Sequence, residues 1–281
     1  HGGVDMKKLV SHTITDRLKA EDTLIICGDF GFVWNTKGET KSEKTWLDWF
    51  DSRPWTTAFL DGNHECFPRL FTYPEIQWHG GQVHQIRSKL FHLMRGEIYT
   101  IEDQTFFVMG GAASHDRGPA VGNTKSVIGK YWWPEEIPSQ EEMKHGMDNL
   151  HAYSNQVDYI LTHCLPSDLQ DIQTMGKFAP DALTEYLHAV STTVKYKHWY
   201  SGHYHVDQDI TGNVTILFQK ILHAGQSIVG SEPLPGSPVY LKGQRVSFLH
   251  EGVKMSGILQ NIYPWGMMSE HSQPVYDIDE E

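Results

Sequence analysis

Histidine, aspartate and asparagine recur in this chain just after apolar runs, and that mixture of nitrogen and oxygen donors is the raw material of a metal centre. In chain order the groups are His1, then Gly28-Asp29-Phe30-Gly31, then Gly62-Asn63-His64-Glu65, then His163, then Gly202-His203-Tyr204-His205. Four of the five follow segments that read as β-strands. Thr23–Cys27 leads to Asp29, Thr56–Leu60 to Asn63, Tyr159–Leu161 to His163 and His198–Tyr200 to His203. Open α/β sheets bind ligands beyond the carboxyl ends of their strands. The expectation is one pocket rimmed by Asp, Asn and several His from distant segments, doing metal-assisted chemistry.

Hydrolysis of a phosphate ester is the reaction such a set suits. It needs the phosphoryl oxygens neutralised and a nucleophile that is potent at neutral pH. Two divalent ions roughly 3.5–4 Å apart do both. Asp29 suits a carboxylate shared between two ions, with Gly28 and Gly31 allowing a tight backbone approach. Asn63 offers an uncharged oxygen, and His163, His203 and His205 offer nitrogens. If the strand runs on through Gly202–His205, His203 and His205 are two apart and face the same side. His64, beside Asn63, is placed to touch substrate. A ligand set without thiolate suits Mn²⁺, Fe²⁺ or Zn²⁺ better than Ca²⁺, with Mn²⁺ favoured here.

Five motifs in this order resemble those of the calcineurin-like metallophosphoesterase superfamily, over positions His1 to His205. The resemblance implies a four-layer α/β/β/α sandwich. It also implies a dinuclear-metal phosphoesterase that hydrolyses a phosphomonoester or phosphodiester by a metal-bridging hydroxide. On it, His1 ligates the first metal, Asp29 bridges, Asn63, His163 and His203 bind the second, and His205 returns to the first. His64 assists the leaving group and Glu65 supports from behind. The superfamily's first motif is Asp-x-His, and the sequence opens at the position matching its His; the expectation is that a longer protein supplies the Asp and the strand before it. The arginines of GDxVDRG and RGNHE are replaced here, by Phe32-Val33 after Gly31 and by Asp61 before Gly62. That disfavours protein Ser/Thr phosphatase and diadenosine-tetraphosphate hydrolase activities. His115 and Arg117, in the loop from Gly110, are the candidate substrate contacts. Two competing readings are a metal-dependent nuclease of the same superfamily and a non-catalytic binding or scaffold protein that kept the fold.

The chain of 281 residues has room for one large domain and a small appendage. Its formal net charge of −12 argues against a nucleic-acid partner and leaves a small phosphorylated substrate open, since bound cations reverse the local field. No apolar run is long enough for a membrane span and no signal peptide is visible, so a cytoplasmic protein is expected. Oligomeric state is not legible. Cys27, Cys66 and Cys164 read as small buried hydrophobes with free thiols. Trp132-Trp133 reads as a seal of its loop onto the core, with base or sugar stacking as the weaker alternative.

The elements that must position these residues alternate. Helical spacing appears over Val4–Lys19, over Lys41–Phe50 with Ser42 as N-cap, over Ser139–Tyr153 with a Ser139/Glu142 capping box, and over Pro180–Val190. Gln82–Ile86, Leu90–Leu93, Glu97–Ile101 and Thr105–Val108 read as one antiparallel series; Val157–Leu161, Val206–Ile210 and Val214–Phe218 are further strands. Gly110–Pro138 is a long surface loop in which Glu135 and Glu136 are solvated. The expected architecture is α/β, two packed sheets with helices outside over residues 1–235, then a small β-barrel-like appendage over 236–281 with a frayed acidic end from Asp277.

Overall fold

The computed structural model describes residues 2, 5–10, 15–114, 127–228, 245–250, 253–263 and 275–280. The chain divides into two compact units, His1–Ser227 and Ile228–Glu281.

The first unit is a mixed α/β structure with two mixed sheets. In the first sheet the strand order is β1 (Thr23–Cys27), β2 (Thr56–Leu60), β5 (Leu90–Leu93), β4 (Gly81–Arg87) and β3 (Glu75–Trp78). β1, β2 and β5 run parallel, and β4 and β3 are antiparallel to their neighbours. The second sheet runs β10 (Gln208–Thr211), β11 (Val214–Ile216), β9 (His198–Ser201), β8 (Tyr159–Thr162), β7 (Gln104–Met109), β6 (Ile98–Ile101). Its inner strands β7, β8, β9 and β11 are parallel. The strands expected as one antiparallel series are thus shared between sheets. β5 joins β2, and the chain crosses at Gly96, whose φ of +78° and tight approach to Gly146 admit no side chain.

Among the described residues, apolar clusters join these elements. Ala58, Leu60, Phe91 and Leu93 of the first sheet share one core with Tyr99, Val108, Leu161 and Tyr200 of the second. Leu47 and Phe50 of α2 (Lys41–Asp51) pack with Phe59 and Leu90. Leu150 of α4 (Gln140–Ala152) and Leu183, Leu187 and Val190 of α6 (Ala182–Thr193) pack with Phe107, Ile160 and Trp199. α4 has the Ser139/Glu142 capping box. α2 is capped by Thr40 rather than Ser42: Thr40 is extended and accepts from Glu43 N–H, while Glu43 reaches back to Thr40 N–H at 2.7 Å. Of Val4–Lys19, the described part is helical only at α1 (Lys7–Val10) and in a 3₁₀ turn at Thr15–Arg17. β3, α3 (Phe67–Leu70) and α5 (Ser167–Thr174) lack a clear periodic signature and were not expected. No helix among the described residues is long and apolar enough to cross a membrane.

In the second unit the described residues form an open antiparallel sheet, β12 (Arg245–His250), β13 (Val253–Tyr263) and β14 (Val275–Glu280). No barrel closure occurs among them. The acidic end is paired as β14 and not frayed.

Candidate metal centre

Four of the five motifs follow the carboxyl end of a parallel strand: Asp29 after β1, Asn63 after β2, His163 after β8 and His203 after β9. The two sheets meet at these ends. His163, from the second sheet, donates its Nδ1–H to the carbonyl of Cys27, the last residue of β1, at 2.8 Å. Hydrogen-bonding one ring nitrogen to a backbone carbonyl fixes the tautomer and turns the other nitrogen into a ligand. That nitrogen, Nε2, lies 3.2 Å from Asp29 Oδ1.

A neutral imidazole lone pair facing a carboxylate oxygen is repulsive unless a proton or cation is shared. Two donors 3.2 Å apart, each about 2.1 Å from one ion, subtend roughly 100° at it, within the range of tetrahedral and octahedral shells. Asn63 is a further candidate donor. It is 3 % exposed, and its Oδ1 is buried with no hydrogen-bond partner among the described residues. Such an acceptor costs about 1–3 kcal/mol unless something electropositive meets it. The residues present therefore fit a divalent cation. Beyond this nucleus the ligands are not fully gathered: no three His, Cys, Asp or Glu side chains among the described residues already stand around one point.

Backbone strain gathers at the same place. Asp29, His203 and His205 have φ of +54°, +69° and +54°, in the left-handed region that non-glycine residues avoid. His203 sits at the centre of a tight turn closed by Tyr204 N–H to Gly202 C=O at 2.8 Å. The expected strand through Gly202–His205 is therefore absent: β9 ends at Ser201, and the two histidines are aimed by strained turn residues instead of by strand alternation. His203 is half-buried, with its ring centroid 5.0 Å from that of His163. Burial first, then the neighbouring imidazoles, pushes its pKa down to about 3 against the pull of Asp29, so it stays neutral. His205 is exposed and stacks on Phe218 at 5.1 Å.

The surrounding contacts hold the loops. His64 donates its backbone N–H to Asp29 Oδ1 at 3.0 Å, and its half-buried ring lies 5.9 Å from that of Trp34. Glu65, fully buried, accepts from Phe30 N–H at 2.7 Å and Gly31 N–H at 3.2 Å, clamping the Asp29 loop from behind. Burial, reinforced by Asp29, raises its pKa well above the usual carboxylate range. Asp29, His163, His203 and His205 all border one cleft of about 370 Å³ that runs on along β1.

His1, His115 and Arg117 lie outside the described residues. Trp133 is buried against Cys66 and Phe67, a seal as expected. Glu136 is not solvated: it is fully buried and accepts from Ser114 and Trp133 N–H groups. The three thiols are free, and burial pushes each of them up, Cys27 to about 12.

Sequence reasoning missed two supports. Asp61, just before Gly62, is buried and bound by Arg95 at 2.6 and 3.0 Å and by His92 at 3.1 Å, and His92 meets His84 at 2.9 Å. Tyr204, between the two motif histidines, accepts from Leu165 N–H at 3.2 Å and donates to Gln170 at 3.1 Å, pinning the turn to α5. Asp61 carried a signal, an acid placed directly at the end of the apolar run Thr56–Leu60; Tyr204 carried none. No protein-family model matches the chain, and a search of curated proteins finds no match.

Proposed function

We propose that the His1–Ser227 unit is a metal-dependent phosphoesterase of the calcineurin-like type, hydrolysing a small phosphorylated substrate. On this reading its layers stack in the order α/β/β/α. The observation that carries it is the buried Asn63 Oδ1, without a partner among the described residues, in the same loop as His64, whose N–H binds Asp29. Asp29, Asn63, His163 and His203 would hold a divalent ion, with His205 and His1 toward a second, and Mn²⁺, Fe²⁺ or Zn²⁺ suits the donors. Such ions neutralise phosphoryl oxygens and make water a nucleophile near neutral pH.

The chain's own side chains supply the remainder. Cys27 C=O holds His163 in the ligating tautomer. Glu65 fixes the loop that presents Asp29. On this reading His64 gives a proton to the departing oxygen. The test is hydrolysis of mono- and bis-p-nitrophenyl phosphate by the full chain with Mn²⁺. Activity that disappears in Asp29→Asn and Asn63→Ala, with both variants folded, is the expected result. Mn²⁺-independent turnover, or none on either ester and no bound metal, overturns the reading.

A further inference from the structure

We propose that the indole face of Trp34 seats a flat aromatic group on the leaving side of the substrate, such as a nucleobase; this rests on the phosphoesterase reading. Trp34 is half-buried, with its ring 5.9 Å from that of His64 and inclined by 35°. Trp133, buried, packs edge-on against it at 4.9 Å and 84°. One side of Trp34 is therefore braced by the core, and the ring stands beside the residue assigned to the leaving oxygen.

Its backbone is held with unusual firmness for a loop. Trp34 and Asn35 both donate N–H to Glu43 Oε1, at 2.8 and 2.9 Å. Glu43 is buried and paired at 3.1 Å with Arg69, itself buried. Arg69 also donates to the carbonyls of Phe32, Asn35 and Gly38. Cys66 N–H binds Val33 C=O at 2.7 Å, which ties this loop to the one carrying Asn63 and His64. An aromatic ring that is already immobilised pays little entropy when a ligand stacks on it. Trp34 also borders a hollow of about 240 Å³ whose rim carries Asn35, Thr40 and Ser42, hydroxyl and amide groups that suit a sugar.

AMP and ribose 5-phosphate share the sugar phosphate and differ in the base. Calorimetric titration of each into the Mn²⁺-supplemented full chain separates the base contribution from the phosphate site. Stacking predicts that AMP binds about tenfold tighter. Trp34→Leu should remove that preference and leave ribose 5-phosphate unchanged. Trp34→Phe should keep part of it, and decides the matter if the leucine variant does not fold. Equal binding of the two ligands, or a preference untouched by both substitutions, overturns the stacking site and leaves the phosphoesterase reading standing. Failure of both ligands to bind removes the phosphate site and this proposal with it.

Discussion

Asn63→Ala should cost stability in the presence of metal and little in its absence. In EDTA the wild-type chain buries an amide oxygen that no described residue satisfies, a burden of about 1–3 kcal/mol. Truncation removes that burden and loses a few contacts, so the variant should lie within about 1 kcal/mol of wild type. With Mn²⁺ at about a hundred times its dissociation constant, binding stabilises the wild type by roughly 2.7 kcal/mol. The variant, lacking one donor, should lose most of that. For a unit of this size it amounts to about 5–8 °C of melting temperature. Thermal or urea unfolding of both proteins, each in EDTA and in Mn²⁺, reads it directly. An equal loss in both buffers would mean that Asn63 is structural. A wild type that Mn²⁺ does not stabilise would refute the metal centre itself.

Two further outcomes follow from the packing and the buried charges. Gly62→Ala places a Cβ 2.2 Å from Asp29 Oδ1 and 2.5 Å from Asp29 N, against backbone that has nowhere to go. It should cost at least about 3 kcal/mol in urea unfolding and abolish the metal-dependent shift. Gly212→Ala, with nothing within 4 Å, should stay within about 0.5 kcal/mol of wild type. His84 tests the pH dependence. Burial, then His92, lowers its pKa from 6.5 to about 4. The unfolded chain therefore takes up the proton first on acidification. The contribution to stability is complete above pH 6.5, is lost as the pH falls toward 4, and loses nothing more below that. Between pH 7 and 4.5 this amounts to about 2.5 kcal/mol. In EDTA, His84→Gln should destabilise less than wild type over that interval by about this amount; an unchanged pH slope would rule the mechanism out.

Much of the fold was legible because the elements that build it repeat a period. β1 and β2 are short apolar runs, the Ser139/Glu142 pair states where α4 starts, and α6 keeps its apolar face. The errors share a cause. Leu90–Leu93 and Glu97–Ile101 are both good strands, but β5 is drawn to β2, distant in sequence, whereas β6 hairpins onto its neighbour β7, whose sheet is set by pairing with the distant β8. Thr40 and Ser42 are both good caps, and only the extended backbone at Thr40 selects between them. Glu136 looks like any loop acid, and its burial depends on Ser114 and Trp133 closing over it.

The site was legible by residue type and not by cause. Gly28, Gly62 and Gly202 open three separate motifs, and from sequence none of them names the group that approaches it. In space a Cβ on Gly28 would stand 2.1 Å from His163 Nδ1, and one on Gly202 would stand 2.4 Å from Cys27 O. A Cβ on Gly62 would stand 2.2 Å from Asp29 Oδ1 and 2.8 Å from His163 Nε2. All three glycines thus make way for the same few atoms: one imidazole, the carbonyl that orients it and the carboxylate facing it. His163, which belongs to no glycine motif, is the hub on which the strand ends converge. Its importance could not be read from a lone histidine after an apolar run. The strained φ angles at Asp29 and His203 have the same origin, since each residue stands two positions past a strand end and beside that hub. Geometry this costly is retained where it is offset elsewhere, and a cation binding the donors around His163 would offset it.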